Sequence, residues 1–149
     1  ISQTVRVSVP VRVAYNQWTQ FEDFPFIMRD IHSVQQTDDR HLRWRGQWGG
    51  CDVEWDSEII EQVPDNLIEW RSQGGPEQGG LVQFTPLSAE ETEVLLCIEY
   101  RGEGDERQER GARRYTALEL EDFKRFIEHR GRETGAWRGE IPPSGMSRD

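Results

Sequence analysis

Apolar and polar positions alternate with period two along most of this chain, and period two is the signature of a half-buried strand. Val5, Val7 and Val9 alternate with Arg6 and Ser8. Pro10 then suits the first turn of a helix, and Val11, Ala14, Tyr15 and Trp18 follow at helical spacing, predicting a short helix through about Gln20. Phe21, Phe24, Phe26, Ile27 and Met28 form an aromatic-rich segment around Pro25 that reads as a second short helix. Strand periodicity resumes at 32–37. Leu42, Trp44, Gly46 and Trp48 form one face of the next strand, and Gly49-Gly50 is a hairpin signal. Val53, Trp55, Ser57 and Ile59 form the face of the strand after it. Ile68, Trp70 and Ser72 share a face beyond the Pro64-Asp65-Asn66 turn. Strands are expected at 81–86 and 94–100, with 73–80 as a glycine-rich loop between strands.

The pattern then changes period. Thr116, Leu120, Phe123 and Ile127 recur at helical spacing, with Leu118 and Phe126 widening the stripe. This predicts an amphipathic helix over about 110–130, roughly 30 Å long, with Gly131 as its stop. Residues 102–110 are charged and read as a mobile connector. The expected organisation is one domain over residues 1–131 and a C-terminal tail over 132–149. Disorder is expected in the last six residues, 144–149.

Six strands joined by short turns form an antiparallel meander, because parallel strands need long crossovers. The first strand brings the sheet to about seven. Such a sheet twists and curves. Wrapped around one long helix it gives an α+β fold with room between its concave face and that helix. Alternation assigns Trp44, Trp48, Trp55, Trp70, Phe84, Ile98 and Tyr100 to the inward face, and the helix contributes Leu120, Phe123 and Ile127. These residues are the expected lining of a ligand cavity. The competing expectation is that the same rings simply fill a core.

Composition sharpens this picture. The 149 residues are enough for one real core. Six Trp, six Phe and three Tyr offset a hydrophobic fraction of 34%. A net charge of −10 and a pI near 4.8 disfavour nucleic acid and anionic membrane surfaces. No run approaches the roughly 20 apolar residues of a membrane span. Two cysteines, Cys51 and Cys97, make no disulfide framework, which points to a reducing cytoplasm.

Candidate chemistry is sparse. His32, His41 and His129 have no metal-binding spacing, so no metal or other cofactor is expected. No nucleophile elbow or phosphate-cradling glycine loop is present. Asp56 and Glu58 alternate with Trp55 and Ile59 and should face solvent. Arg43, Arg45 and Arg71 should pair across strands with Glu54, Glu58 or Glu69. Tyr100 is the best candidate for a polar group inside the cavity.

Several stretches resemble a known family. They are 9–25, Leu42-Arg43-Trp44-Arg45, Trp55-Asp56-Ser57-Glu58-Ile59, Ile68-Glu69-Trp70-Arg71-Ser72, Val82-Gln83-Phe84, the helix at 123–127, and 133–141. They look like bacterial polyketide cyclase/dehydrase-type proteins of the START-like superfamily. The resemblance implies the helix-grip fold and a hydrophobic-ligand cavity. It ranks binding of an apolar small molecule (a lipid, quinone or polycyclic aromatic) first. A cyclase or dehydratase acting on such a compound, and a co-chaperone-like protein-interaction domain, are the alternatives. Trp137 docks either on its own domain or on a second copy, which leaves a homodimer open.

Overall fold

The computed structural model describes residues 1–101 and 105–143. Strand β1 (Ser2–Val7) leads into helix α1 (Val11–Trp18), a 3-10 turn (Phe21–Asp23) and helix α2 (Phe24–Ile27). Strands β2 (Ile31–Gln36), β3 (His41–Trp48), β4 (Cys51–Val63), β5 (Leu67–Gln73), β6 (Glu77–Ser88) and β7 (Glu91–Tyr100) follow, and helix α3 (Glu106–Arg130) closes the fold. The seven strands form one antiparallel sheet in the order β1-β7-β6-β5-β4-β3-β2. The meander runs through β2 to β7, and β1 returns to pair with β7, as the alternation requires.

Strand parity follows the pattern. Leu42, Trp55, Ile59, Ile68, Val82, Phe84, Leu96 and Ile98 are all buried. Gly49 and Gly50 both adopt positive φ (58° and 82°), the backbone a two-residue hairpin between twisted strands needs. A register shift between Ile59 and Glu61 turns the end of β4, so that Gln62 becomes the inward residue.

Three boundaries differ from the periodicity. First, β1 ends at Val7, and the Thr92 hydroxyl donates to the Val9 carbonyl (2.9 Å) in place of a ladder bond. Second, β6 starts at Glu77, inside the glycine-rich stretch expected as loop. Third, α3 starts at Glu106. The Asp105 carboxylate caps it by accepting from the Arg107 and Gln108 amides, and Glu106 and Glu109 suit its positive end. The expected connector is therefore mostly helix, while its residues 102–104 lie outside the described residues, as do the 144–149 residues expected to be disordered. Gly131 ends α3 at φ 77°, a left-handed C-terminal cap.

Beyond α3 the chain packs back onto its own domain. Ile141 is buried and bridges to Gln62 through two backbone hydrogen bonds of 2.8 and 2.9 Å. The Thr134 amide donates to Gln17 Oε1 (2.9 Å), and the Gln17 amide group donates to the Thr134 hydroxyl (3.1 Å). Arg138 ties the strap to Asn16 and Asp65 (2.6 and 2.8 Å). Trp137 packs against this core, and its amide donates to the Thr19 hydroxyl (3.1 Å).

Candidate functional site

The concave face of the sheet meets α3 in two different ways. At one end, Phe123 of α3 lies 4.8 Å from the Trp18 ring, and Phe84 meets Tyr15 and Trp18 edge-on. Phe123 and Ile127 have no exposed surface there. Toward the start of α3 the packing loosens, and a cavity of about 50 Å³ remains.

Aromatic and aliphatic side chains make most of the cavity wall. Trp18, Phe21, Phe24 and Met28 close it from the short helices. Strands β3 and β4 supply Trp44 and Trp55, stacked at 5.9 Å with an interplanar angle of 2°. Strands β5 and β7 add Ile68, Trp70 and Ile98. The Trp44 indole N–H is satisfied by the Ser57 hydroxyl (2.8 Å), which holds the ring against the wall.

Two carboxylates enter this apolar wall, Glu77 from the first residue of β6 and Glu119 from α3. Both, with Trp55, also line an adjoining void of about 20 Å³, whose far side is Trp48, Tyr100 and Tyr115. The carboxylates and Trp55 thus form a shared partition. Glu77 Oε1 accepts from the Trp70 indole (3.1 Å) and the Ser72 hydroxyl (2.9 Å). The Tyr115 hydroxyl, one helical turn back, neighbours the Glu119 carboxyl and favours its ionised form. The Tyr100 hydroxyl lies 2.9 Å from Thr116 Oγ1, whose own proton goes to the Ala112 carbonyl, so Tyr100 donates. Trp48 stacks on Tyr100 at 5.1 Å and meets Tyr115 edge-on at 4.9 Å.

Enclosure changes how these groups titrate. Burial, and after it the neighbouring Glu77 charge, push Glu119 up to about 8. Burial also raises Glu77, against the pull of its Trp70 and Ser72 hydrogen bonds. The Tyr100 and Tyr115 hydroxyls are both raised by burial. At neutral pH the partition therefore holds at least one carboxylic acid that keeps its proton.

The residues expected to line a cavity divide into three groups. Trp44, Trp55, Trp70 and Ile98 wall the larger void, and Trp48 and Tyr100 wall the smaller one. Phe84, Leu120, Phe123 and Ile127 are buried in the packed core beyond. Periodicity passed over Glu77, Glu119 and Tyr115. A signal for Glu119 exists, because it sits three residues after Thr116 and four before Phe123, on the buried stripe. A carboxylate on that stripe is the anomaly that marks the site.

Other candidates fall outside it. His41 is exposed and pairs with Asp38 (2.9 Å) and Glu58 (3.4 Å). Arg43 bridges Glu54 and Asp56, each at 3.0 Å, on the outer face, and Arg45 reaches Glu54 at 3.2 Å. Among the described residues no cluster of His, Cys, Asp or Glu is arranged to hold a metal, and no helix is long and apolar enough to cross a membrane.

A curved antiparallel sheet gripping a C-terminal helix over an aromatic cavity defines a helix-grip fold. Residues 7–110 match the family described as polyketide cyclase / dehydrase and lipid transport, and the chain belongs to that family. An uncharacterized 17.2 kDa protein of Streptomyces lincolnensis is 40% identical over 148 residues, covering 95% of this chain and 97% of that one. A crystal structure from Deinococcus radiodurans superposes with a TM-score of 0.64 at 28% identity, covering 87% of this chain and 97% of the other. The Zhui aromatase/cyclase of a Streptomyces species shares the fold with a TM-score of 0.71 at 18% identity, over 92% and 98% of the two chains. A START superfamily protein of Mycobacterium smegmatis does so at 0.67 and 18%, over 87% and 94%.

Proposed function

We propose that this protein binds a ring-bearing apolar small molecule in the cavity between sheet and α3. One observation carries the reading: two carboxylates stand in an aromatic wall where a simple core would place apolar groups. Both side chains are half-buried, and even partial desolvation of a carboxylate is costly unless something offsets it. A ligand that uses these groups gives their placement a function. Stacked Trp44 and Trp55 offer flat faces that suit rings better than flexible acyl chains. The void of about 50 Å³ lies below the roughly 300–1,000 Å³ of typical ligand pockets. An apolar cavity that takes a benzene ring is about 150 Å³, so even a single-ring compound requires the wall or the partition to move. Membership of the family supports the reading, as does an overall acidic surface that keeps the protein off anionic membranes.

A second reading rests on Glu119. A carboxylic acid that holds its proton near neutrality inside an apolar cavity is suited to general acid catalysis, the role a cyclase or dehydratase needs.

Tryptophan fluorescence tests the binding reading, since Trp44, Trp55 and Trp70 all face the void. Titration with small quinones, naphthols and fatty acids should give a saturable one-to-one change for ring compounds. Ile98→Trp, which fills the void, should abolish it while the far-ultraviolet circular dichroism is retained. A folded wild-type protein that responds to none of these compounds overturns the reading.

A further inference from the structure

The polar end of the cavity has an unusual balance of donors and acceptors. The Trp70 and Ser72 donors are already engaged by Glu77. Tyr115 neighbours Glu119, and Tyr100 is engaged by Thr116. Glu77 Oε2 and the remaining Glu119 lone pairs are left as acceptors. Among the described residues no arginine, lysine or histidine lines either void. The partition therefore carries excess negative potential inside an aromatic enclosure. Once Glu119 is ionised, a carboxylate or phenolate ligand meets repulsion there; below about pH 8 the Glu119 carboxyl keeps its proton and can donate. A cation meets the two acidic groups Glu77 and Glu119, the second of which it favours in the ionised form, among the rings of Trp48, Trp55 and Tyr115.

We infer that the cavity's ligand is an organic amine, bound with its ring against Trp55 and its protonated nitrogen at the Glu77–Glu119 partition. This rests on the proposed binding function and narrows its ligand class. The geometry also fixes a proton balance. Glu119 faces Tyr115 and Asp122 on its own helix, Glu77 on β6, Tyr100 on β7 and Asp30 before β2. Arg29 is spent on Asp122 through a bidentate pair (2.7 and 3.1 Å), so among the described residues no cation relieves Glu119. An arriving ammonium group does so, and Glu119 releases its proton to solvent. Affinity should therefore rise with pH up to about 8, the value to which Glu119 is raised, and level off above it.

The test is isothermal titration of the intact protein with phenethylamine and tryptamine, each against its alcohol counterpart, 2-phenylethanol and tryptophol. The amines should bind at least about tenfold tighter at pH 8. Amine affinity should rise by up to about tenfold per pH unit below that point. Titrations near pH 6.5 in buffers of different ionisation enthalpy should show release of close to one proton, falling to about half a proton at pH 8. Glu119→Gln, which keeps the side chain's shape, should remove the pH slope and bring amine affinity down to that of the alcohol counterparts. Alcohols that match or exceed the amines in the wild-type protein overturn the amine inference but leave the binding function standing. Failure of all four probes, together with a silent fluorescence panel, removes both.

Discussion

The two halves of α3 meet the same sheet with opposite chemistry. From Leu120 to Ile127 the helix presents Leu120, Phe123 and Ile127, each at most 2% exposed, to the Trp18–Phe84 cluster. One turn earlier it presents Tyr115 and Glu119 to a cavity partition. The first half is packed as a core is packed, with rings in edge and tilted contact. The second holds ionisable groups in an apolar setting and accepts the cost. The contrast teaches that the fold is secured at one end so that the other end is free to be polar, as functional sites commonly are.

Breaking the secured end should have the largest effect. Phe123→Ala removes a fully buried ring from the Trp18 contact and should cost about 3–5 kcal/mol in chemical denaturation. The strap belongs to the same end. Ile141→Ala should cost about 2–4 kcal/mol by the same measurement, because Ile141 is 3% exposed and seals the edge of β4.

At the polar end the effect lies in the pH dependence. Glu119 is raised in the folded protein, so the folded state binds the extra proton between its ordinary range and about 8. Stability therefore falls as pH rises through that window, by a few kcal/mol at most, and is flat above it. Thermal unfolding from pH 5 to 9 should show this decline, and Glu119→Gln should flatten it. A Glu119→Gln profile that declines as steeply as the wild type would assign the slope to other groups.

The smallest effect belongs to the outer face. Hydrogen bonding to Asp38 raises His41 above its ordinary value, so its small contribution is present at low pH and is lost as pH rises past that raised value. In a proton NMR titration, Asp38→Asn should move the His41 midpoint down toward 6.5 with almost no change in stability.

The same contrast explains what the sequence revealed. The packed end and the inward parity of the Trp residues were legible, because period-two and helical stripes report burial directly. Glu77 was hidden by its glycines. A Cβ at Gly80 would lie 2.5 Å from the Trp70 ring and one at Gly75 2.7 Å from the Trp55 side chain. The glycines make room for indoles, and the segment that reads as a loop is in part the strand carrying Glu77. The start of α3 was hidden by its mixed charges, since its first turns bury little and are held by the Asp105 cap. The strap at 133–141 is secured by side-chain pairs more than 70 residues apart, such as Arg138–Asp65, which no local pattern encodes.

The polar end of the fold has a function only where the aromatic cavity holds a small molecule. Native mass spectrometry of the protein purified from its own cells, followed by gentle organic extraction, tests it most directly. The account predicts a one-to-one small-molecule adduct that the Ile98→Trp variant does not carry. Bare wild-type protein, with no thermal shift from amines, quinones, fatty acids or polycyclic aromatics, would contradict it and leave the rings as a filled core.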